Sequence, residues 1–175
     1  TESMQQLSMK DGSFEISLEA LGEGDSHGLE KTEFLVSANP GMPPRPLSRV
    51  ASGGELSRIS LAIQVIASRA QKVPSLIFDE VDVGIGGGVA EIVGRLLSKL
   101  GKDRQVLCVT HLPQVAALAD WQFSVYKEEG RSRILLLDET GRIEEVARML
   151  GGVEITDTSR QHAREMLSSC EGSSV

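Results

Sequence analysis

Two short apolar runs constrain this chain most. "SLIFDE" (Ser75–Glu80) and "QVLCVTHL" (Gln105–Leu112) each end in polar residues, and the amphipathic stretch "VAEIVGRLLSKLG" (Val89–Gly101) lies between them. An apolar run too short for a helix, without alternation, reads as a strand buried on both faces. Strand, helix and strand in that order form a right-handed crossover, which makes the two strands parallel. Both polar tips, Asp79–Glu80 and Thr110–His111, then emerge at one edge of the sheet, where open α/β sheets carry their sites.

The rest of the chain is read around that unit. "FEISLEAL" (Phe14–Leu21) alternates as a half-buried strand does, and "EFLVSANPG" (Glu33–Gly41) reads as its antiparallel partner across the loop Gly22–Gly28. "NPGMPPRPLSRVASGG" is rich in Pro and Gly and predicts irregular backbone. From Glu55 to Lys72, Leu56, Ile59, Ile63, Ile66 and Ala70 follow helical spacing, and Pro74 closes the helix. Pro113 opens a helix, Gly130 marks a hairpin between "WQFSVYKEE" and "SRILLLDE", and two helices follow in "RIEEVARMLGG" and "SRQHAREMLSS". The fold class is α/β: a mainly parallel sheet flanked by helices, with antiparallel edge strands. At 175 residues the chain is expected to form a single domain over 1–175. Residues 170–175 are expected to be a mobile tail.

Composition limits the partners. The net charge of −7 shows no broad basic face for DNA, although Arg45, Arg49 and Arg58 cluster near one loop. They are equally compatible with phosphate contacts and with plain solvation. Cys108 and Cys170 lie far apart, which fits a reducing cytosol. No apolar run approaches a membrane span and no signal peptide is present, so a soluble intracellular protein with no membrane partner is expected. The chain begins on Thr1 rather than Met, as an excised or processed piece would.

Three sets of residues carry chemistry. Asp79 and Glu80 sit where adjacent carboxylates diverge past a strand end, one suited to holding Mg²⁺, often through water, and one to orienting an attacking water. Many buried strands also end in an acid with no such role. His111 beside Thr110 is suited to contacting a phosphate, or is an ordinary polar group at a strand tip. Ser52, Gly53 and Gly54 open a helix whose free N–H groups and dipole favour an anion, with Glu55 in its first turn; a plain Ser N-cap reads the same way.

The joint order decides between these readings. A Gly-rich helix start, a helix, "LIFDEVD", a Gly-rich loop, a helix and "VTH" together resemble the C-terminal lobe of an ABC-type ATPase head. "VASGGELSRISLAI", "LIFDEVDVGI" and "VTHLPQVAALAD" resemble most closely the RecN family, SMC-like bacterial ATPases of DNA double-strand-break repair. "NPGMPPRPL" and "RIEEVARMLGG" fit the same family, so the resemblance runs from about Phe14 to Leu167. It implies a P-loop NTPase-like fold using ATP and Mg²⁺ in the bacterial cytoplasm, at the nucleoid. It makes Ser52, Gly53, Gly54 and Glu55 the signature loop, Asp79 the Mg²⁺ support, Glu80 the general base, Asp82 the D-loop acid and His111 the γ-phosphate contact. One departure is "GIGGG", where the family leads one to expect Ser near Gly86.

One part is missing. No G-x-x-x-x-G-K-[ST] P-loop occurs in the chain. In the family the P-loop lies in an N-terminal lobe beyond a long coiled coil, whose returning arm Glu2–Leu7 would end. The resemblance thus implies a C-terminal lobe with the Walker A lobe absent, partnered by that lobe and its coil, by a second head as a homodimer, and by DNA. The signature loop of one head would cap ATP held by the other, and the lobe by itself would bind ATP weakly and be inactive. A non-catalytic dimerisation or interaction module is the alternative. A transport ABC ATPase fits less well, because only 51 residues precede Ser52 and they read as hairpin and loop.

Overall fold

The computed structural model describes residues 1, 4, 5, 7, 9, 11–37, 41–49, 53–70, 73–79, 82, 84–151 and 154–171, the side chains of 69, 70, 170 and 171 excepted. They divide into two compact units, Thr1–Lys72 with Val83–Ile85 and Val73–Asp82 with Gly86–Val175.

In the first unit, β1 (Ser13–Asp25) and β2 (Gly28–Ser37) form an antiparallel hairpin, and β3 (Arg45–Pro46) pairs with the far end of β2. The strands run further than the alternation in Phe14–Leu21 predicts. The expected loop Gly22–Gly28 shrinks to Ser26 and His27, because Asp25 Oδ1 accepts from the backbone N–H of His27 at 2.7 Å and of Gly28 at 3.1 Å. That side chain closes the turn itself. Phe14 and Phe34 sit diagonally across the ladder with ring centroids 5.5 Å apart. A 3₁₀ turn at Leu47–Arg49 follows β3, and α1 (Gly53–Ala70) comes next. Its buried stripe is Ile59, Ala62 and Val65, with Leu61 and Ser68 beside it, while Leu56 and Ile66 are exposed. The expected stripe through Leu56 and Ile66 is therefore rotated; the helix turns its smaller side chains inward, against a unit whose core also takes Met4, Leu7, Met9 and Val36.

In the second unit, β4 (Ser75–Phe78) and β5 (Gln105–Cys108) pair in parallel, with Ile77 opposite Leu107 and Phe78 opposite Cys108. The crossover helix α2 (Gly87–Gly101) buries Ala90, Val93, Gly94, Leu97 and Leu100, a stripe at helical spacing. Gly94 permits a close approach: a Cβ there would stand 2.6 Å from Leu118 Cδ1 and 3.2 Å from the Gln114 carbonyl oxygen. Pro113 heads the short helix α3 (Pro113–Ala116), as expected. β6 (Phe123–Glu128) and β7 (Arg131–Leu136) form a hairpin with Glu129 and Gly130 at φ 50° and 75°. Two successive positive φ values give the turn whose twist matches paired strands.

The chain closes with a helical hairpin, α4 (Glu139–Gly151) and α5 (Asp157–Glu171), around Val146, Ala147 and Ala163. Thr156 and Ser159 cap α5 reciprocally: Ser159 N donates to Thr156 Oγ1 at 3.1 Å and Thr156 N to Ser159 Oγ at 2.9 Å. Arg160 ties the pair by donating to Glu144 at 2.7 Å. Helix α5 includes the first two residues of the expected tail, and the remainder lies outside the described residues.

The described strands form three separate sheets, and only β4 and β5 pair in parallel. That pair is open on one face. Ile77 is 75% exposed, with Leu107 and Val109 beside it. On the β6–β7 hairpin, Phe123 faces Leu136 and Val125 faces Ile134, and all four are exposed. Parallel strands ordinarily have both faces covered, and a bare apolar face on this pair departs from that rule.

Candidate functional site

The second unit brings one cluster together at the tip of the parallel pair. Val109 N donates to Phe78 O at 2.9 Å, carrying the ladder one residue past β5 and setting Thr110 and His111 beside the end of β4. Asp79 follows Phe78 directly and is exposed. Asp82 is 2% exposed, and its carboxylate turns onto the neighbouring strand tip. Its Oδ2 accepts from Thr110 Oγ1 at 2.5 Å and from the His111 backbone N–H at 2.8 Å. The same oxygen stands 3.2 Å from His111 Nδ1. Thr110 Oγ1 accepts in turn from Leu112 N at 3.1 Å, which locks the corner leading into α3. The imidazole of His111 remains 69% exposed above this anchored base.

Cys108 lies beneath the tip, half-buried. Burial pushes its thiol up to about 11, with the negative charges of Asp82 and then Asp79 adding to the rise. Both carboxylates thus act on the thiol at the strand end.

The first unit holds the other glycine-rich element. Gly53, Gly54 and Glu55 form the first turn of α1. Ser57 Oγ donates back to Gly53 O at 3.0 Å, and Arg58 Nε to Gly54 O at 3.1 Å. Arg58 is therefore engaged with its own helix, while Arg45 on β3 is exposed. Gly54 packs on Gly84, where an added Cβ at Gly54 would fall 2.4 Å from the Gly84 carbonyl oxygen. Gly84 has φ +73°, so both positions require glycine, one for space and one for backbone conformation. Gly86, at φ −167°, is extended backbone open to any residue, so the family's expected Ser would be accommodated there.

Of the expected site residues, Asp79, Asp82 and His111 gather in one unit, and Gly53, Gly54 and Glu55 in the other. Ser52 and Glu80 lie outside the described residues. Sequence reasoning missed the linkage through Thr110. The sequence marks the threonine only as a neighbour of His111, and its hydroxyl in fact joins Asp82 to the helix corner. Among the described residues no group of three or more His, Cys, Asp or Glu is arranged to hold a metal ion.

No protein-family model matches the chain. It is 50% identical over 172 residues to the DNA repair protein RecN of Vibrio cholerae, covering 95% of this chain and 31% of the relative. The RecN of Xylella fastidiosa strain Temecula1 is 50% identical over 173 residues, with the same coverage, and that of Bacillus subtilis 48% over 144 residues, 80% of this chain. The chain thus spans about 31% of the length of the first of these relatives. Among solved structures, one from a study of ATP-driven dimerisation and DNA-stimulated activation of SMC ATPases superposes with a TM-score of 0.68. It is 21% identical and covers 88% of this chain and 90% of that one. The SMC head domain of Pyrococcus yayanosii gives 0.68 at 22% identity, over 83% of this chain and 27% of that one. The fold is the α/β fold seen in SMC head domains, and over nearly all of its own length the chain is similar in sequence to RecN proteins.

Proposed function

We propose that the chain is the C-terminal lobe of the ATPase head of a RecN-type DNA repair protein, acting in the bacterial cytoplasm. The observation that carries this reading is the strand-tip cluster, with Asp79 at the end of β4 and the anchored pair Thr110–His111 at the end of its parallel neighbour. Such a tip suits phosphoryl chemistry, in which the protein positions groups and stabilises charge.

The donor set fits Mg²⁺. Mg²⁺ takes one or two carboxylates and completes its shell with waters and phosphate oxygens, so an exposed Asp79 without a protein cage is what it uses. Bound there, the ion would neutralise phosphate charge. Glu80 would orient or deprotonate the attacking water, and His111 would present its ring to the γ-phosphate. In the first unit, the N-terminus of α1, with glycines permitting close backbone approach, suits capping an ATP carried by a second head. Asp82 contributes from behind the site, since its carboxylate is committed to Thr110 and His111.

The bare faces of β4–β5 and of the β6–β7 hairpin support a need for a further lobe. The chain has no phosphate-cradling P-loop, and its relatives are about three times as long. A preceding Walker A lobe would supply both the cradle and the cover. DNA and the second head are the remaining proposed partners. No helix among the described residues is long and apolar enough to cross a membrane.

The test uses the full-length protein. Glu80→Gln should abolish ATP hydrolysis and accumulate an ATP-bound dimer, read by phosphate release and light scattering. Hydrolysis at the unaltered rate would remove Glu80 from its role. Submicromolar ATP binding by the 175-residue chain alone would overturn the incomplete-site reading and favour a self-sufficient module.

A further inference from the structure

We infer that Asp82 is a positioning residue that fixes the tautomer and orientation of His111, so that Nε2 is the ring atom offered to the ligand. This rests on the reading that His111 meets the γ-phosphate, and it adds a role that nothing in the sequence order assigns.

The argument begins with burial. A carboxylate that is 2% exposed must be satisfied by donors, because an unpaired buried charge is costly. Here one oxygen meets three groups: the Thr110 hydroxyl at 2.5 Å, the His111 backbone N–H at 2.8 Å and His111 Nδ1 at 3.2 Å. The first two are obligatory donors to it and fix the acid in place. The third is a ring nitrogen that either carries a proton or presents a lone pair. A lone pair held 3.2 Å from a carboxylate oxygen is repelled, so the proton resides on Nδ1.

The consequence lies on the exposed side of the ring. With Nδ1 protonated, Nε2 of the neutral ring is an acceptor, suited to a water or hydroxyl proton. Its contact with a phosphate oxygen then runs through a water whose proton it accepts. The backbone contact adds direction, since the same carboxylate oxygen holds both the main chain and the ring edge of His111. Thr110 completes the support by holding Asp82 with its proton and Leu112 N with its lone pair. Behind metal-ligating histidines, carboxylate partners of this kind contribute about 10- to 100-fold, and that scale is carried over to His111.

Two measurements on the full-length protein test this. With ¹⁵N-labelled histidine, and His111 assigned by its loss in His111→Gln, the ring shifts should show a protonated Nδ1 and a bare Nε2 in the nucleotide-free protein. An Nε2–H tautomer overturns the inference, and this reading needs neither a variant of Asp82 nor ATP turnover. The second is a double-mutant cycle in ATP hydrolysis. Asp82→Asn keeps an oxygen for Thr110 and the backbone while removing the charge. It should lower kcat about 10- to 100-fold with KM for ATP within about twofold. In the His111→Gln background it should cost nothing further. Full additivity of the two losses would make Asp82 merely structural and overturn the proposal. If the unaltered full-length protein hydrolyses no ATP, the proposed function fails, while the tautomer measurement still decides the role of Asp82.

Discussion

Ile77→Asp separates a face that belongs to solvent from one that the proposed further lobe would cover. Ile77 sits in the middle of β4, opposite Leu107, and is 75% exposed in this chain. An acid there removes a β-branched residue from a strand, which costs at most about 1 kcal/mol in a partly exposed setting. The chain alone should therefore lose roughly 2–4 °C in its melting temperature. In the full-length protein the proposed lobe covers the same face. Fully burying an Ile is worth about 1.5–3 kcal/mol, so the three-quarters still bare here would contribute about 1–2 kcal/mol. Placing an uncompensated carboxylate at that interface adds about 3–5 kcal/mol. The expected cost in the complete head is therefore about 4–7 kcal/mol, enough to detach the lobe or prevent folding. Thermal melts of both forms, with and without the substitution, give the comparison. Equal small shifts in the two contexts would refute the idea that this face is covered by the rest of the protein.

Gly54→Ala should destabilise the chain by about 1–3 kcal/mol, the usual cost of overpacking, because its Cβ would fall 2.4 Å from a backbone oxygen that cannot rotate away. The same change in the full-length protein should weaken ATP-dependent dimerisation, and an unchanged melting temperature would show that the loop yields freely. Cys108, with its thiol pushed up to about 11 from an ordinary 9.0, should be alkylated about 100-fold more slowly than a free thiol below pH 9. The direction follows from the neutral form being favoured, so the rate should keep climbing with pH toward 11; a plateau near pH 9 would show that burial and the nearby acids do not act on it.

The elements most legible in the sequence are those whose signal is local. Gly130 announces its hairpin because only a turn with positive φ joins paired strands with the right twist, and Pro113 announces its helix because its missing N–H costs nothing there. The parallel pair was legible from apolar run, helix and apolar run. Less legible was the face that α1 buries. Leu56, Ile59, Ile63 and Ile66 satisfy a helical period, but so does the smaller stripe Ile59, Ala62 and Val65, and tertiary context chose the second. The Asp82 linkage was not legible at all. It joins residues 28 and 29 positions apart, and it exists because the register of Phe78 on Cys108 brings the end of β5 level with the residues that follow β4. Long-range register is a property of packing, and nothing in "VTH" or "DEVD" announces it.

The open sheet and the absent P-loop are independent observations, one of surfaces and one of sequence, and the proposed Walker A lobe would account for both. An apolar ladder such as Phe123–Leu136 and Val125–Ile134 is selected against on a soluble surface unless something covers it. A strand-tip cluster of acids with an outward histidine has little to act on without a phosphate cradle. Partner-borne ATP would explain the lost cradle but not the bare face of β4 and β5. A purely structural covering segment would explain the face but leave Asp79 and the anchored His111 without work. The proposed lobe would both add to the sheet and carry the cradle, and so would answer each, tying the proposed chemistry of this chain to the cover of its bare faces.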